Sequence, residues 1–161
     1  MKLYLLRHAE AHPGSPDSAR NLTEEGLKQA REIAKRAVDD GLLPESLHIW
    51  HSPYVRAVQT MEVFREVAKI PMERTSEVSG ITPYDDARLT AEKLDDEEGP
   101  LILIGHNPHL EDLATHLLTR GQRPDPLVRL KKAGLIHLVR ERRGKLAGGI
   151  DANWQLRWML K

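Results

Sequence analysis

Two polar residues, Arg7 and His8, directly follow the first apolar segment of the chain. Residues 2–6 predict a buried strand, so both side chains come where the carboxyl end of a strand meets a loop. Open α/β sheets bind their ligands at this edge. An imidazole beside a guanidinium provides a nucleophile or a base next to a fixed positive charge. Taken alone, the pair is equally typical of a polar surface turn.

A second cation, Arg56, follows the next predicted strand, residues 47–50. Ser52 is predicted to cap a helix that begins at Pro53 and continues to about residue 69, because serine favours the cap and proline the first helical position. Arg56 would then lie in the first turn of this helix, near the same edge of the sheet. The alternative for Arg56 is an ion pair with a surface acid. The full motif is Ser52-Pro53-x-x-Arg56-Ala57-x-Gln59-Thr60.

A second histidine, His106, follows the most apolar segment of the chain, residues 101–104. The run Leu-Ile-Leu-Ile predicts a strand buried on both faces. His106 either acts at the same edge as His8 or caps the helix that follows Pro108, and Asn107 is predicted to stabilise the turn. Because the carboxyl ends of parallel strands meet at one edge, we expect the basic side chains of all three segments to lie close together.

Between these strands the apolar spacing predicts helices. Thr23 is a good N-cap with two glutamates after it, and Gly41 ends the helix that follows. Strands that alternate with helices favour a largely parallel sheet with helices on its faces. The remaining predicted elements are a short strand over 72–76, a helix over 87–96, a helix through 110–118, and two late strands over 135–139 and 154–160, separated by turns at Gly144 and Gly148-Gly149.

The composition limits the possible functions. A chain of 161 residues is most simply one domain, residues 1–161. Lys plus Arg and Asp plus Glu both number 24, so no net charge attracts the protein to nucleic acid or to a membrane surface. The absence of cysteine excludes disulfides and thiolate metal sites. With no apolar run of about 18 residues and no signal-peptide pattern, we expect a cytoplasmic monomer without a membrane-spanning helix.

Together the motifs resemble the histidine phosphatase superfamily, in order and in spacing, along nearly the whole chain. The short length and the closing Asn153-Trp154-Gln155 are most similar to the SixA-type phosphohistidine phosphatases. The resemblance implies a three-layer α/β/α sandwich of the phosphoglycerate-mutase type, with a mainly parallel sheet and antiparallel strands late in the chain. The matching motifs are Arg7-His8, Leu22-Thr23-x-x-Gly26, Ser52-Pro53-x-x-Arg56-Ala57-x-Gln59-Thr60 and Gly105-His106-Asn107-Pro108.

The resemblance also implies the chemistry. His8 is the nucleophile that receives the phosphoryl group, and Arg7, Arg56 and His106 form a phosphate clamp. A phosphoryl group in transfer spreads negative charge over its oxygens, so positioned cations are what the reaction needs. The family requires no metal and no other cofactor, and the spacing of the remaining histidines does not match a zinc site. We expect a main-chain carbonyl to hold the second ring nitrogen of His8.

Two departures from the family pattern bear on activity. Ala9 stands where many members have glycine, so the loop must accommodate a side chain beside the nucleophile. Phosphomonoesterases of the superfamily usually carry a carboxylic acid before the third helix; here Glu77, Asp85 and Asp86 are the candidates, and none lies in a clear motif. A proton donor accelerates departure of an alcohol by roughly a hundred- to ten-thousandfold, whereas an imidazole leaves a P–N bond more easily.

We therefore expect a metal-independent phosphohydrolase that dephosphorylates phosphohistidine on a signalling or phosphotransfer protein, such as a histidine phosphotransfer domain. Only short loops follow His8 and precede Ile81, so the long helical insertion that would cover the site is missing, which favours a protein substrate. One alternative is a phosphatase of small phosphate monoesters that uses one of the three carboxylates as its acid. Another, of a different class, is a phosphate-binding module without turnover.

Overall fold

The computed structural model describes residues 1–146 and 149–161, and only the backbone of 142–146 and 149–152. In these parts of the chain, no helix is long and apolar enough to cross a membrane. The strands are β1 (Lys2–Arg7), β2 (His48–His51), β3 (Thr75–Glu77), β4 (Leu101–Gly105), β5 (Leu135–Leu146) and β6 (Gly149–Leu160). The helices are α1 (Glu24–Asp39), α2 (Val55–Ala68), α3 (Ala87–Asp95) and α4 (His109–Thr119).

The strands form one mixed sheet in the order β3-β2-β4-β1-β5-β6. The first four strands run parallel, β5 runs antiparallel to β1, and β6 runs antiparallel to β5. The expected mainly parallel sheet with late antiparallel strands is confirmed. Because β2, β4 and β1 are neighbours, the three segments that follow them leave the sheet side by side at one edge.

Two apolar clusters lie on opposite faces of the sheet. Successive side chains of a strand point to opposite faces, and along β1 Tyr4 and Leu6 join one cluster while Leu3 and Leu5 join the other. Helices α1 and α2 cover the first face, and α3 and α4 cover the second. The expected three-layer arrangement is therefore confirmed. The helix residues buried in the two clusters include Ala30, Ile33, Ala37, Met61 and Phe64 on one side and Ala91, Leu94, Leu110, Leu113 and Leu117 on the other.

Helix α1 packs closely against the loop that follows β1. Its N-cap is Thr23, whose hydroxyl accepts a hydrogen bond of 2.9 Å from the backbone N–H of Gly26, as predicted. A Cβ atom added to Gly26 would lie 2.0 Å from the carbonyl oxygen of Glu10. Glycine is therefore required at this position so that the helix can approach the backbone of the loop.

Two local predictions in the middle of the chain are wrong. Helix α2 begins at Val55 rather than at Pro53, and no side chain caps it, because the Ser52 hydroxyl is used elsewhere. The strand predicted over 72–76 is a 3-10 turn over Met72–Arg74, and β3 begins only at Thr75. Residues 72–74 therefore do not join the sheet, and β3 is only three residues long.

The late strands are longer than the sequence indicates. Strand β5 continues through Gly144, so the turn predicted there is wrong, and β6 begins at Gly149 rather than at residue 154. The predicted turn residue Gly148 lies outside the described residues. In the described structure the pairing of β5 with β1 ends near Arg140, whose backbone binds Met1, and β5 continues from there paired with β6. An antiparallel ribbon of this kind tolerates the charged residues that broke the apolar pattern.

Candidate active site

The basic residues of all three motifs meet at the edge where β1, β2 and β4 end. The backbone N–H of His8 donates to the carbonyl of Gly105 at 2.9 Å, which joins the first and third motifs. Nε of Arg56 lies 3.1 Å from Nε2 of His8. The rings of His8 and His106 lie 5.0 Å apart, centroid to centroid. Arg7, the residue before His8, completes the four-residue cluster that the sequence predicts.

The partners of His8 define where its proton lies. Its Nδ1 is 2.7 Å from the carbonyl oxygen of Ala9, and a carbonyl only accepts, so Nδ1 donates. Its Nε2 faces Nε of Arg56, and a guanidinium only donates, so Nε2 accepts with its lone pair. The main-chain carbonyl expected for the second ring nitrogen is thus confirmed. His8 is a neutral imidazole whose Nε2 lone pair is turned toward the cationic cluster.

The surroundings of His8 keep it neutral. Burial lowers its pKa from 6.5 to about 4; the hydrogen bond to Ala9 opposes this, and the charges of Arg56 and Arg7 lower the pKa further. A histidine with a pKa of about 4 is almost entirely unprotonated at neutral pH. The side chain therefore has the protonation state that a nucleophile requires.

Arg56 is held on both sides of its guanidinium. Its side chain is only 4% exposed. Nη1 donates to the carbonyl of Asp17 at 2.5 Å and Nη2 to a carboxylate oxygen of Asp17 at 2.9 Å, while Nε faces His8. Arg20 donates to the other carboxylate oxygen of Asp17 at 2.8 Å. The hydrogen bonds from Arg20 and Arg56 lower the pKa of Asp17, so an ionised carboxylate occupies Nη2 of Arg56.

Arg7 has an unused donor inside the site. Its Nη1 donates to the carbonyl of Leu130 at 2.9 Å. Its Nε is buried and has no hydrogen-bond partner among the described residues. Burial lowers the pKa of Arg7, the charge of Glu111 opposes that change, and the charge of Arg56 adds to it. A buried N–H without a partner, beside a second guanidinium, is suited to bind an oxygen of an anion.

His106 is oriented by the serine that the sequence places at a helix cap. Its Nε2 lies 2.8 Å from Oγ of Ser52, while its buried Nδ1 has no hydrogen-bond partner in the described parts of the chain. Burial, with the nearby His8 and Arg56, lowers the pKa of His106 to about 2. His106 is therefore neutral at neutral pH. A bound dianion favours its charged form, because an opposite charge nearby raises the pKa of a histidine.

Helix α2 fixes the loop that carries the nucleophile. The backbone N–H of Ala9 donates to the hydroxyl of Thr60 at 3.1 Å, and Thr60 in turn donates to the carbonyl of Arg56 at 2.7 Å. Gln59 accepts from the backbone N–H of Leu22 at 2.8 Å. Ala9 is fully buried and its φ is not positive, so the loop accommodates the methyl group that replaces the usual glycine.

In the described structure no hydrogen bond or ion pair joins any of the three candidate acids to the cluster. Asp85 accepts from the backbone N–H of Thr82 at 2.7 Å, and this bond lowers its pKa. Asp86 caps α3 and pairs with Arg88, which lowers the pKa of Asp86 to about 2. Glu77 is exposed at the end of β3. The lowered pKa values of the two aspartates oppose a role as proton donor.

A metal centre is not formed by the described residues: no three His, Cys, Asp or Glu side chains among them are grouped to hold an ion. The cluster instead consists of two arginines and two histidines, with unpartnered N–H or ring nitrogen atoms on Arg7 and His106. This donor set matches the charge and the oxygens of a phosphoryl group.

Sequence reasoning missed two residues linked to the cluster, Asp17 directly and Glu111 through Leu130. Asp17 begins a short 3-10 helix, Asp17–Ala19, where only the spacing Asp17-x-x-Arg20 suggests a local ion pair. Glu111 accepts from Asn107 and from the backbone of Leu130, yet in the sequence it is a typical first-turn acid that stabilises the helix dipole. Long-range contacts of this kind leave no periodic pattern.

Comparison with known proteins identifies the family. Residues 3–97, more than half of the chain, match the model of the histidine phosphatase superfamily (branch 1). This range contains Arg7, His8 and Arg56, and it ends before His106. Among curated proteins none matches the sequence significantly.

Solved structures share the whole fold. A protein histidine phosphatase SixA complexed with tungstate is 22% identical, with a TM-score of 0.81 over 99% of this chain and 96% of that one. A structure from Agrobacterium tumefaciens assigned as phosphohistidine phosphatase SixA is 24% identical, with a TM-score of 0.75 over 99% and 97% of the two chains. A mycobacterial glucosyl-3-phosphoglycerate phosphatase is 16% identical, with a TM-score of 0.66 over 96% of both.

Proposed function

Because the chain belongs to the histidine phosphatase superfamily and is a phosphatase on that ground, we propose that it hydrolyses phosphohistidine on another protein through a phosphoryl group carried by Nε2 of His8. The observation that supports this most directly is the state of His8. Its Nδ1–H is bound to the Ala9 carbonyl, and its Nε2 lone pair faces Arg56. The nucleophilic atom is therefore held next to a cation that binds phosphoryl oxygens.

In the first step the Nε2 lone pair of His8 attacks phosphorus, and the bond between phosphorus and the substrate nitrogen breaks. Arg7 and Arg56 balance the charge on the phosphoryl oxygens, with the free Nε–H of Arg7 as one donor. His106 becomes a third donor once the dianion raises its pKa. The Nδ1–H of His8 stays on the Ala9 carbonyl, which stabilises the positive charge that the ring acquires.

In the second step water attacks phosphorus and the bond to Nε2 breaks. The electron pair returns to Nε2, the ring becomes neutral again with its proton still on Nδ1, and inorganic phosphate takes the oxygen and both protons of the water. The low pKa of His8 favours this step, because the buried ring is a stable neutral leaving group.

The leaving group supports phosphohistidine as the substrate. A phosphohistidine protonated on its ring leaves as neutral imidazole and needs no further proton. An ester oxygen needs a donor, whereas the hydrogen bonds that Asp85 and Asp86 accept favour the ionised form of both carboxylates, which can only accept. The SixA neighbour was solved with tungstate, a tetrahedral oxyanion of the same charge as a phosphate dianion. A histidine phosphotransfer domain, which displays its phosphohistidine on an exposed helix face, would be a suitable substrate protein.

The test is a comparison of kcat/KM between a phosphorylated histidine phosphotransfer domain and a panel of small phosphate monoesters. We expect the phosphoprotein to be preferred by at least about a hundredfold, the lower end of what a missing general acid costs. His8→Asn should abolish both activities, while His12→Asn, an exposed histidine of the same loop, should keep them. Fast ester turnover without protein dephosphorylation would overturn the proposed substrate. Phosphate binding without any turnover would indicate a binding module.

The partner, the monomeric state and the cytoplasmic location are part of this proposal and stay predictions from the sequence. Size-exclusion chromatography with light scattering measures the oligomeric state of the purified protein, and a single species of 18.3 kDa is expected.

A further inference from the structure

A buried carboxylate lies below the phosphate clamp. Glu111, in the first turn of α4, is only 6% exposed. Its Oε1 accepts from the backbone N–H of Leu130 at 2.8 Å and from Nδ2 of Asn107 at 2.7 Å. Its Oε2 accepts from Arg129 at 3.2 Å, an arginine whose side chain is 78% exposed. Removing a carboxylate from water is costly, so this position needs its hydrogen bonds.

The same hydrogen bonds lead to Arg7. The carbonyl of Leu130 accepts from Nη1 of Arg7 at 2.9 Å and from Nδ2 of Asn107 at 2.9 Å. Glu111 thus fixes the N–H of Leu130, and the carbonyl of Leu130 fixes Arg7. The amide of Asn107 bridges the Glu111 carboxylate and this carbonyl.

We propose that Glu111 is the positioning residue for Arg7: it holds the backbone N–H of Leu130 directly and the Leu130 carbonyl through Asn107, and this carbonyl directs the guanidinium toward the phosphoryl site. Leu130 belongs to the irregular segment between α4 and β5, where no helix or strand fixes the backbone among the described residues. Among the described residues, the Arg7 side chain is held by its hydrogen bond to the Leu130 carbonyl. Without the Glu111 carboxylate, Leu130 would no longer fix the orientation of the Arg7 guanidinium. A misplaced phosphate-binding residue lowers the rate of a transfer reaction strongly.

The negative charge of Glu111 also supports phosphate binding by Arg7, because it favours the charged guanidinium. Burial lowers the pKa of Arg7, and the negative charge of Glu111 opposes that change. Glu111 therefore stabilises a charged guanidinium in a site that excludes water.

The experiment is a double-mutant cycle read out as binding of inorganic phosphate by calorimetry, together with thermal stability. We expect Glu111→Ala to weaken phosphate binding roughly ten- to a hundredfold. In an Arg7→Gln background the same substitution should change affinity less than about twofold, because the residue through which it acts is gone. Asp112→Asn is the matched control: it removes an exposed acid from the same helical turn and should leave affinity unchanged.

Glu111→Gln serves if the alanine variant does not fold. It keeps an oxygen that accepts from Leu130 and removes the charge, so it should weaken binding severalfold in wild type and not in the Arg7→Gln background. Equal losses in both backgrounds, or no loss in either, would overturn the inference and leave the proposed function intact. The inference rests on the proposed function only in that Arg7 binds phosphate; a wild-type protein that binds no phosphate would overturn both.

Discussion

The pH at which His8 gains a proton is the sharpest consequence of the site geometry. An exposed histidine has a pKa of about 6.5, whereas burial, with the charges of Arg56 and Arg7, lowers that of His8 to about 4. The difference corresponds to about 3 kcal/mol against the protonated ring. At pH 5.5 more than nine tenths of His8 should therefore be neutral, compared with about one tenth of an ordinary histidine.

Ring-nitrogen NMR of histidine-labelled protein measures this directly, with the His8 signals assigned by His8→Gln. We expect neutral His8 to carry its proton on Nδ1 and to stay neutral as the pH falls from 8 to about 5. Arg56→Gln should raise the pKa of His8, because it removes a positive charge at 3.1 Å. Arg56→Lys keeps a cation there and should change the pKa less.

Burial and the surrounding cations both disfavour a protonated ring, so both lower the pKa of His8. A titration midpoint near 6.5 would therefore refute the reasoning. So would a proton on Nε2 of the neutral ring, since the nucleophilic lone pair would then be absent.

Three further predictions concern other contacts of the described residues. Asp17→Asn should tighten inhibition by inorganic phosphate severalfold, because it removes a negative charge that competes with phosphate for Nη2 of Arg56; weaker inhibition would show instead that Asp17 orients the arginine. His137→Phe should stabilise the protein by about 1–3 kcal/mol in urea unfolding at pH 7.5, because both ring nitrogens of His137 are buried without partners in the described structure. Burial lowers the pKa of His137 to about 4, so below pH 6.5 the unfolded wild-type chain binds a proton that the folded chain does not, and wild type loses stability. At pH 5 the difference in free energy of unfolding between His137→Phe and wild type should therefore be larger than at pH 7.5 by up to about 2 kcal/mol, and an unchanged difference would contradict this. Gly26→Ala should cost about 3 kcal/mol, since its Cβ would meet backbone at 2.0 Å, whereas Gly99→Ala, with nothing within 4 Å, should be nearly neutral; equal effects would contradict the packing.

The cluster was predictable because its position follows from topology. Each of the three motifs follows an apolar segment, and parallel strands place their carboxyl ends at one edge. Strands β2, β4 and β1 are neighbours in the sheet, so Arg56, His106 and His8 converge. A main-chain carbonyl as partner of His8 was predictable because the second ring nitrogen of a nucleophilic histidine needs an acceptor, but the sequence did not identify it as that of Ala9.

The contacts around the cluster were not predictable from local patterns. Asp17 reaches Arg56 across 39 positions of sequence, and Glu111 reaches Leu130 across 19. Ser52 has the residue type of a helix cap, but its hydroxyl binds His106 because the helix begins three residues later. Side-chain partners in irregular segments depend on the packed structure, which propensity and periodicity do not encode.

The measurement that tests the central claim most directly is the position of the phosphoryl group on the trapped enzyme. Brief reaction with a phosphohistidine substrate, followed by alkaline quenching and NMR or mass spectrometry, locates the adduct. The structure predicts phosphorus on Nε2 of His8, because Nδ1 is occupied by the Ala9 carbonyl at 2.7 Å. Phosphorus on Nδ1, on another residue, or on no residue during turnover would contradict the account.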